Sequence, residues 1–307
     1  MKKIFITGLA GMLGCNVAYE LKNDYSLSGV DLFRVNMDGV NSYDFDILDY
    51  KKMLGCLERV RPDIIIHTAA AVNVDKCEIE PDYAKKLNVK MTGNVCKAAE
   101  EVGARVIYIS TDAVFDGQSK HLYSEIDFAD PINIYGKTKL EGENIVRKNS
   151  RNLILRTNIY GFNIQNKNSF GEWIYTSLLE DKELQMFTDI DFSPILVNDL
   201  AEIIDLSIKK DISGLYHACG TGCISKYDFG CNLKEIFKIS TGKITESNSE
   251  NFSFKAKRAK HMGMDNKNLC AELSCEVRTP IESIKEFYRL YKKGYKEELI
   301  KFGGINE

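Results

Sequence analysis

No apolar run in the 307 residues approaches the roughly 18 that a membrane-crossing helix needs, so no membrane role is expected. Charge of one sign is also lacking. The 41 Lys and Arg residues stand against 44 Asp and Glu, and the formal net charge of −3 offers no attraction for nucleic acid or an anionic membrane. The nine cysteines contain no Cys-x-x-Cys spacing, and Cys219 and Cys223, the closest pair, have no histidine cluster beside them. They read as reduced thiols used as small buried apolar groups, and no metal ligand is assigned. Internal repeats and low-complexity linkers are absent. Residues Met1 to Gly8 enter a strand and a glycine turn too early to hold the apolar core of a secretion signal, so a cytoplasmic protein is expected. With 44% hydrophobic and 28% charged residues, the chain has the composition of a globular protein of one large domain or two joined ones.

Lys3 to Thr7 reads as a short buried strand, with Gly8, Gly11 and Gly14 directly after it. Leu13, Val17 and Leu21 then recur at helical spacing, which puts the glycines on a strand-to-helix turn. Glycine permits close backbone approach there, and the first helical turn, with Met12 and Leu13, offers N–H groups to a pyrophosphate. The second strand ends at Asp31, near the position of a ribose-binding acid. An acid favours NADH by repelling a 2′-phosphate, while Arg34 could pair with that phosphate, so NADH and NADPH both stay open.

A third strand is read over Tyr43 to Leu48, with Asp46 and Ile47 expected near the adenine, and Asp49 caps a helix through Val60. Ile64 to His67 is apolar, as a parallel strand covered on both faces must be. Thr68, Ala69 and Ala70 follow, small enough to let a cofactor lie on the backbone. A long helix from Pro81 to Val102 contains Asn88. The fifth strand carries Ser110, Thr111 and Asp112 at its carboxyl end, where open parallel sheets bind ligands. A helix from Tyr135 to Lys148 and a sixth strand to Arg156 complete the pattern.

Strands alternating with helices predict an α/β fold, a Rossmann-type doubly wound parallel sheet with right-handed crossovers. The dinucleotide-binding domain is placed at 1–155, with 190–212 returning to it. A smaller C-terminal α/β substrate domain takes 156–189 and 213–307. Its last helix is opened by the capping box Thr279-Pro280-Ile281-Glu282 and runs to about Ile300.

Tyr135 and Lys139 lie four residues apart, on one helical face. A cation beside a phenol favours the phenolate, lowering its pKa from roughly 10 and suiting it to general acid catalysis. Tyr288 and Lys292 repeat the spacing but lack the strand, glycine loop and hydroxyl pair, and read as a solvated helix face.

The chain resembles the extended short-chain dehydrogenase/reductases, and within them the dTDP-4-dehydrorhamnose reductase family. The likeness rests on Thr7-Gly-x-x-Gly-x-x-Gly14, on Arg61-Pro-Asp-Ile-Ile-Ile-His-Thr-Ala-Ala70, on Ser110-Thr-Asp-x-Val-Phe-Asp-Gly117, and above all on Asp130-Pro-x-Asn-x-Tyr135-Gly-Lys-Thr-Lys139-Leu-Glu-Gly-Glu143. The resemblance implies NADPH or NADH as hydride donor to C4 of a 4-keto-6-deoxy nucleotide sugar, with Tyr135 protonating the carbonyl oxygen. Thr111 would hydrogen-bond that oxygen, with Ser110 the second choice, and Lys139 would hold the nicotinamide ribose. It adds Asn88 to the cofactor contacts, and Asp112, Val114, Phe115, Asn158 and Arg258 to the substrate contacts, and it suggests a homodimer. A tryptophan usual in the family is replaced within Thr157-Asn158-Ile159-Tyr160, and an Arg-Arg-Pro segment is here Lys257-Arg258-Ala259. Epimerisation on the same fold is a second reading, whereas dehydration is disfavoured because alanine, not glutamate, follows Asp112. A non-catalytic, cofactor-binding regulatory subunit is the third.

Overall fold

The computed structural model describes residues 1–165 and 167–304. Seven strands form one parallel sheet: β1 (Lys3–Thr7), β2 (Ser26–Asp31), β3 (Val40–Asp44), β4 (Ile64–His67), β5 (Arg105–Thr111), β6 (Leu153–Thr157) and β7 (Gly214–His217). Their spatial order is β7-β6-β5-β4-β1-β2-β3, so the direction of winding reverses between β1 and β4. Such a switch point opens a crevice at the carboxyl ends of the strands.

The buried strands follow from their composition. Ile4 and Ile6 face a core shared with the helices Met12–Leu21 and Val197–Lys209, while Phe5, between them, faces the core under Tyr50–Val60 and Met91–Val102. Successive residues of a strand point to opposite faces, so an apolar run serves both layers at once.

The sequence reading needs revision at four places. The third strand is Val40–Asp44, because Asp46 accepts from the Leu48 N–H at 2.9 Å and turns the chain at the point where a longer strand was expected. The expected helix from Pro81 to Val102 is interrupted by a π-helical turn over Lys86–Lys90 that contains Asn88. Gly214–His217, grouped by sequence with the C-terminal part, pairs with β6 as the outer strand of the central sheet. The last helix, opened by the expected capping box at Thr279 and Glu282, ends at Lys292; Gly294, at φ 72°, turns the chain into a separate helix, Tyr295–Gly303.

Beyond β6 the chain builds smaller pieces around aromatic side chains. Phe170, Phe192 and Phe229 meet with ring centroids 5.4 to 5.8 Å apart. Glu183–Phe187 pairs in parallel with Lys243–Ser247.

One buried ion pair ties the helix Ile134–Val146 to the sheet. Arg156 at the end of β6 donates through Nε and Nη2 to Glu143 Oε1 and Oε2, at 2.9 and 2.8 Å, and Ser110 Oγ donates to the same Oε1 at 2.7 Å. Glu143 has no exposed surface and Arg156 is 2% exposed. Burial alone would raise the Glu143 pKa, but the hydrogen bonds from Arg156 and Ser110 outweigh it and hold the carboxyl below its usual range.

Removing the cation leaves a buried, uncompensated carboxylate. Arg156→Met should therefore lose about 3–5 kcal/mol in urea unfolding. Because the folded pKa is depressed, the link's contribution is present at neutral pH and is lost as pH falls below the ordinary glutamate range. A wild-type-like unfolding midpoint in the variant would contradict the assignment.

Candidate active site

The glycine turn after β1 is shaped for close approach. Gly8 has φ 73°, and a Cβ there would lie 2.9 Å from the Ala69 nitrogen. Six other helices begin with a side chain bonded to a first-turn N–H, from Asp49, Asn73, Asn133, Ser169, Ser225 and Thr279. The helix Met12–Leu21 has Gly11 at its N-cap and no capping side chain. Its first N–H groups and the positive end of its dipole are thereby left for an anion.

Asp31 stands at the end of β2, its carboxylate accepting from Ala10 N and Leu32 N at 2.9 and 2.7 Å, which fixes it beside the glycine turn. Arg34 is exposed. A cleft of about 730 Å³ runs from Gly8, Gly11, Met12 and Leu13 past Asp31, Asp46 and Ile47, along Thr68, Ala69 and Ala70, to Ser110, Thr111, Asp112, Tyr135, Lys139 and Asn158. A nicotinamide dinucleotide fits these features, with its pyrophosphate at the uncapped helix.

At the far end, the helix carrying Tyr135 and Lys139 is held close to β5. A Cβ on Gly136 would stand 2.0 Å from the Ala113 carbonyl oxygen, so only glycine allows that approach. Lys139 Nζ donates to the Ile109 carbonyl at 2.6 Å and lies 4.0 Å from the Tyr108 ring centroid. Burial pulls its pKa from 10.5 down to about 7, with Glu143 drawing it partly back up. Burial likewise raises the Tyr135 phenol above its ordinary value, and Thr111 beside it acts in the opposite direction. The expected lowering of the Tyr135 pKa by Lys139 is thus reversed, because desolvation exceeds any help from a cation already bonded to a backbone carbonyl.

Ser110 and Thr111 separate by facing. Ser110 Oγ is committed to Glu143, whereas Thr111 Oγ1 donates to Asp112 Oδ1 at 3.0 Å and stands beside Tyr135. Asn158 Nδ2 donates to Asp112 Oδ2 at 2.5 Å. His67, to which no chemistry was assigned, is a buried brace between Thr7 and Thr92, and burial pushes its pKa down to about 3.

Five expected site residues do not line the cleft. Gly14 lies under the turn, where a Cβ would meet Gly8 O at 2.1 Å. Asn88 bonds both backbone groups of Ala71 and the Thr138 hydroxyl, bracing the wall from behind. The Thr111 hydroxyl accepts from Ala113 N and starts a tight turn that drives Val114 and Phe115 inward, Phe115 stacking on Tyr123 at 4.0 Å. Arg258 gives Nη2 to Asp75 at 2.7 Å and lies over Phe254. Conversely, Phe170 and Gln165 line the cleft without having been anticipated. Gln165 reaches the glycine turn through a bond from Nε2 to Ala10 O at 3.0 Å, a contact with no local sequence signal. Tyr288 packs on Phe237 and, like Lys292, is absent from the cleft.

A dinucleotide crevice that ends in a tyrosine, a threonine and a lysine is the site of a short-chain dehydrogenase/reductase. The model of the RmlD substrate binding domain family matches residues 1–292, and the chain belongs to that family. The dTDP-4-dehydrorhamnose reductase of Escherichia coli K12 is 32% identical over 239 residues, covering 76% of this chain and 77% of that protein. The methionine adenosyltransferase 2 subunit beta of Mus musculus is 30% identical over 308 residues, covering 93% and 86%. Among solved structures, a Bacillus anthracis dTDP-4-dehydrorhamnose reductase in complex with NADP is 29% identical with a TM-score of 0.85, covering 94% of this chain and 99% of that one.

The lowered Lys139 pKa predicts charge below pH 7 and a neutral amine above it in the free protein. Burial pulls the Lys226 pKa down to about 7 as well. In an NMR titration of ¹³C-methylated lysines, two resonances should move near pH 7, and Lys139→Met should remove one of them. A spectrum in which every lysine titrates above pH 10 would contradict this.

Proposed function

We propose that this protein is an NAD(P)H-dependent reductase of the 4-keto group of a nucleotide-linked 6-deoxysugar, most directly dTDP-4-dehydrorhamnose. The reading is carried by one observation. The glycine turn, Asp31, Thr111, Tyr135 and Lys139 all line a single continuous cleft.

Bound NAD(P)H would supply the hydride. The uncapped helix Met12–Leu21 and the Gly8 turn hold the pyrophosphate, and Asp31 takes a ribose hydroxyl. The raised pKa keeps the Tyr135 phenol protonated, so it arrives at the reaction as a donor. Its proton passes to the carbonyl oxygen as that oxygen gains charge, and Thr111, turning its hydroxyl from Asp112, steadies the same oxygen by a hydrogen bond. Lys139 holds the nicotinamide ribose from the floor of the cleft, and its ammonium favours the phenolate that remains. Asp112 and Asn158 continue the site beyond the carbonyl, toward the sugar.

In this reading residues 1–155 with 190–212 carry the cofactor, while 156–189 and 213–307 carry the sugar nucleotide, apart from β7, which the sheet takes. A cytoplasmic location and a homodimer are the remaining parts of this reading to test. Among the described residues no helix is long and apolar enough to cross a membrane.

The likeness to the mouse adenosyltransferase subunit, over 93% of this chain, supports a second reading as a cofactor-binding regulatory subunit. Turnover separates the two. Incubation with dTDP-4-dehydrorhamnose and NAD(P)H should consume nicotinamide absorbance; no turnover with this or any other 4-keto nucleotide sugar would refute the reductase reading. Tyr135→Phe should keep cofactor affinity within about twofold and lose roughly 10²–10⁴ in kcat, the range of a general acid. Unchanged kcat in that variant would remove the phenol from the mechanism.

A further inference from the structure

Lys226 opens the helix Lys226–Ile236 directly after the Ser225 cap. Its Nζ lies 3.2 Å from the ring centroid of Phe192 and 4.3 Å from that of Phe170. Among the described residues it has neither a hydrogen bond nor an ion pair, although an ammonium carries three donors. Asp112 is the charged group it faces, and the attraction acts against the burial that lowers the lysine pKa. Phe170 and Asp112 are both walls of the cleft. Asp112 is in turn held by Asn158 on one oxygen and by Thr111 on the other. A fixed acceptor in the cleft wall and an unpaired donor against the Phe170 ring of that wall thus attract each other.

The substrate geometry identifies what such a pair can read. In a 4-keto-6-deoxysugar, C4 is flanked by C5, which bears the methyl group and the ring oxygen, and by C3, which bears a hydroxyl. A hydroxyl both donates and accepts, so it can give its proton to a carboxylate while accepting from an ammonium. We infer that Lys226 and Asp112 form a donor–acceptor pair that reads the C3 hydroxyl, making Lys226 a specificity-determining contact of the reductase proposed above, on which this inference rests. The Phe170 and Phe192 rings favour a cation at that position through their π faces, so the ammonium is placed before substrate arrives. A sugar lacking the hydroxyl leaves the Lys226 ammonium without a hydrogen-bond acceptor, and sites built in this way reject such analogues strongly.

The test crosses variant with substrate. Wild type, Lys226→Met and Lys226→Arg are compared on a 4-keto-6-deoxy nucleotide sugar and on its 3-deoxy analogue, with NAD(P)H affinity measured in each. Wild type should prefer the hydroxylated sugar by about 100-fold in kcat/KM. Lys226→Met should lose about 10- to 100-fold on that sugar, mainly through KM, the range for a hydrogen bond to a charged group. On the 3-deoxy sugar it should match wild type, and Lys226→Arg should restore part of the preference. Methionine suits the aromatic surroundings, and unchanged NAD(P)H affinity reports an intact cleft; should that affinity be lost, Lys226→Gln supplies the same comparison. An equal loss on both sugars, or a preference identical to wild type, would overturn the inference. Wild-type inactivity on every 4-keto nucleotide sugar would instead overturn the functional reading, and this inference with it.

Discussion

Glu143 is a carboxylate with no access to water, and the geometry of the reactive end of the cleft depends on how it is satisfied. Arg156 meets it with two hydrogen bonds, Ser110 with one, and Arg147 with another at 2.9 Å. These bonds link β5, β6 and the helix Ile134–Val146, the three elements that carry Ser110, Thr157, Tyr135 and Lys139. They also sort the two adjacent hydroxyls. Ser110 is turned toward the carboxylate, so Thr111, on the opposite face, is the hydroxyl beside Tyr135. The same negative charge lies one helical turn from Lys139 and opposes the desolvation that would otherwise lower its pKa further. A buried pair of this kind is weak evidence for net stability, but it fixes one arrangement among several.

The other end of the cleft is organised by what is missing. A side chain at the start of Met12–Leu21 would satisfy the first-turn N–H groups, as happens on six other helices of the chain. Glycine at that position leaves them unsatisfied, a cost that an anionic ligand removes. Cofactor and carbonyl chemistry are thus prepared by opposite means, with open donors at one end and closed polar contacts at the other.

What the sequence discloses follows from the range of the forces involved. Apolar runs such as Ile64 to His67, the glycine turn and the Thr279 capping box are local, and each appears where its residues imply. The third strand was misjudged because one Asp46 bond ends it, and the long helix because the π turn around Asn88 answers to contacts with Ala71 and Thr138. Arg258 is expected among the substrate contacts, but Asp75, distant in sequence, claims it. The sign of the Tyr135 shift escaped for the same reason, since burial depends on the whole fold. Lys226 was invisible because Asp112, Phe170 and Phe192 come from three separate segments. The reaction class is therefore legible from short motifs, whereas the sugar-reading wall has to be seen assembled.

In the proposed reaction, hydride passes to the sugar carbonyl with Tyr135 as the proton donor. The most direct measurement uses NAD(P)H carrying deuterium at both positions of nicotinamide C4, with the product sugar examined by NMR. Deuterium should appear at C4 of the sugar, with loss of the ¹H signal there and no label at C3 or C5. A reduced sugar without deuterium at C4, or cofactor oxidation with no label entering the sugar, would contradict it.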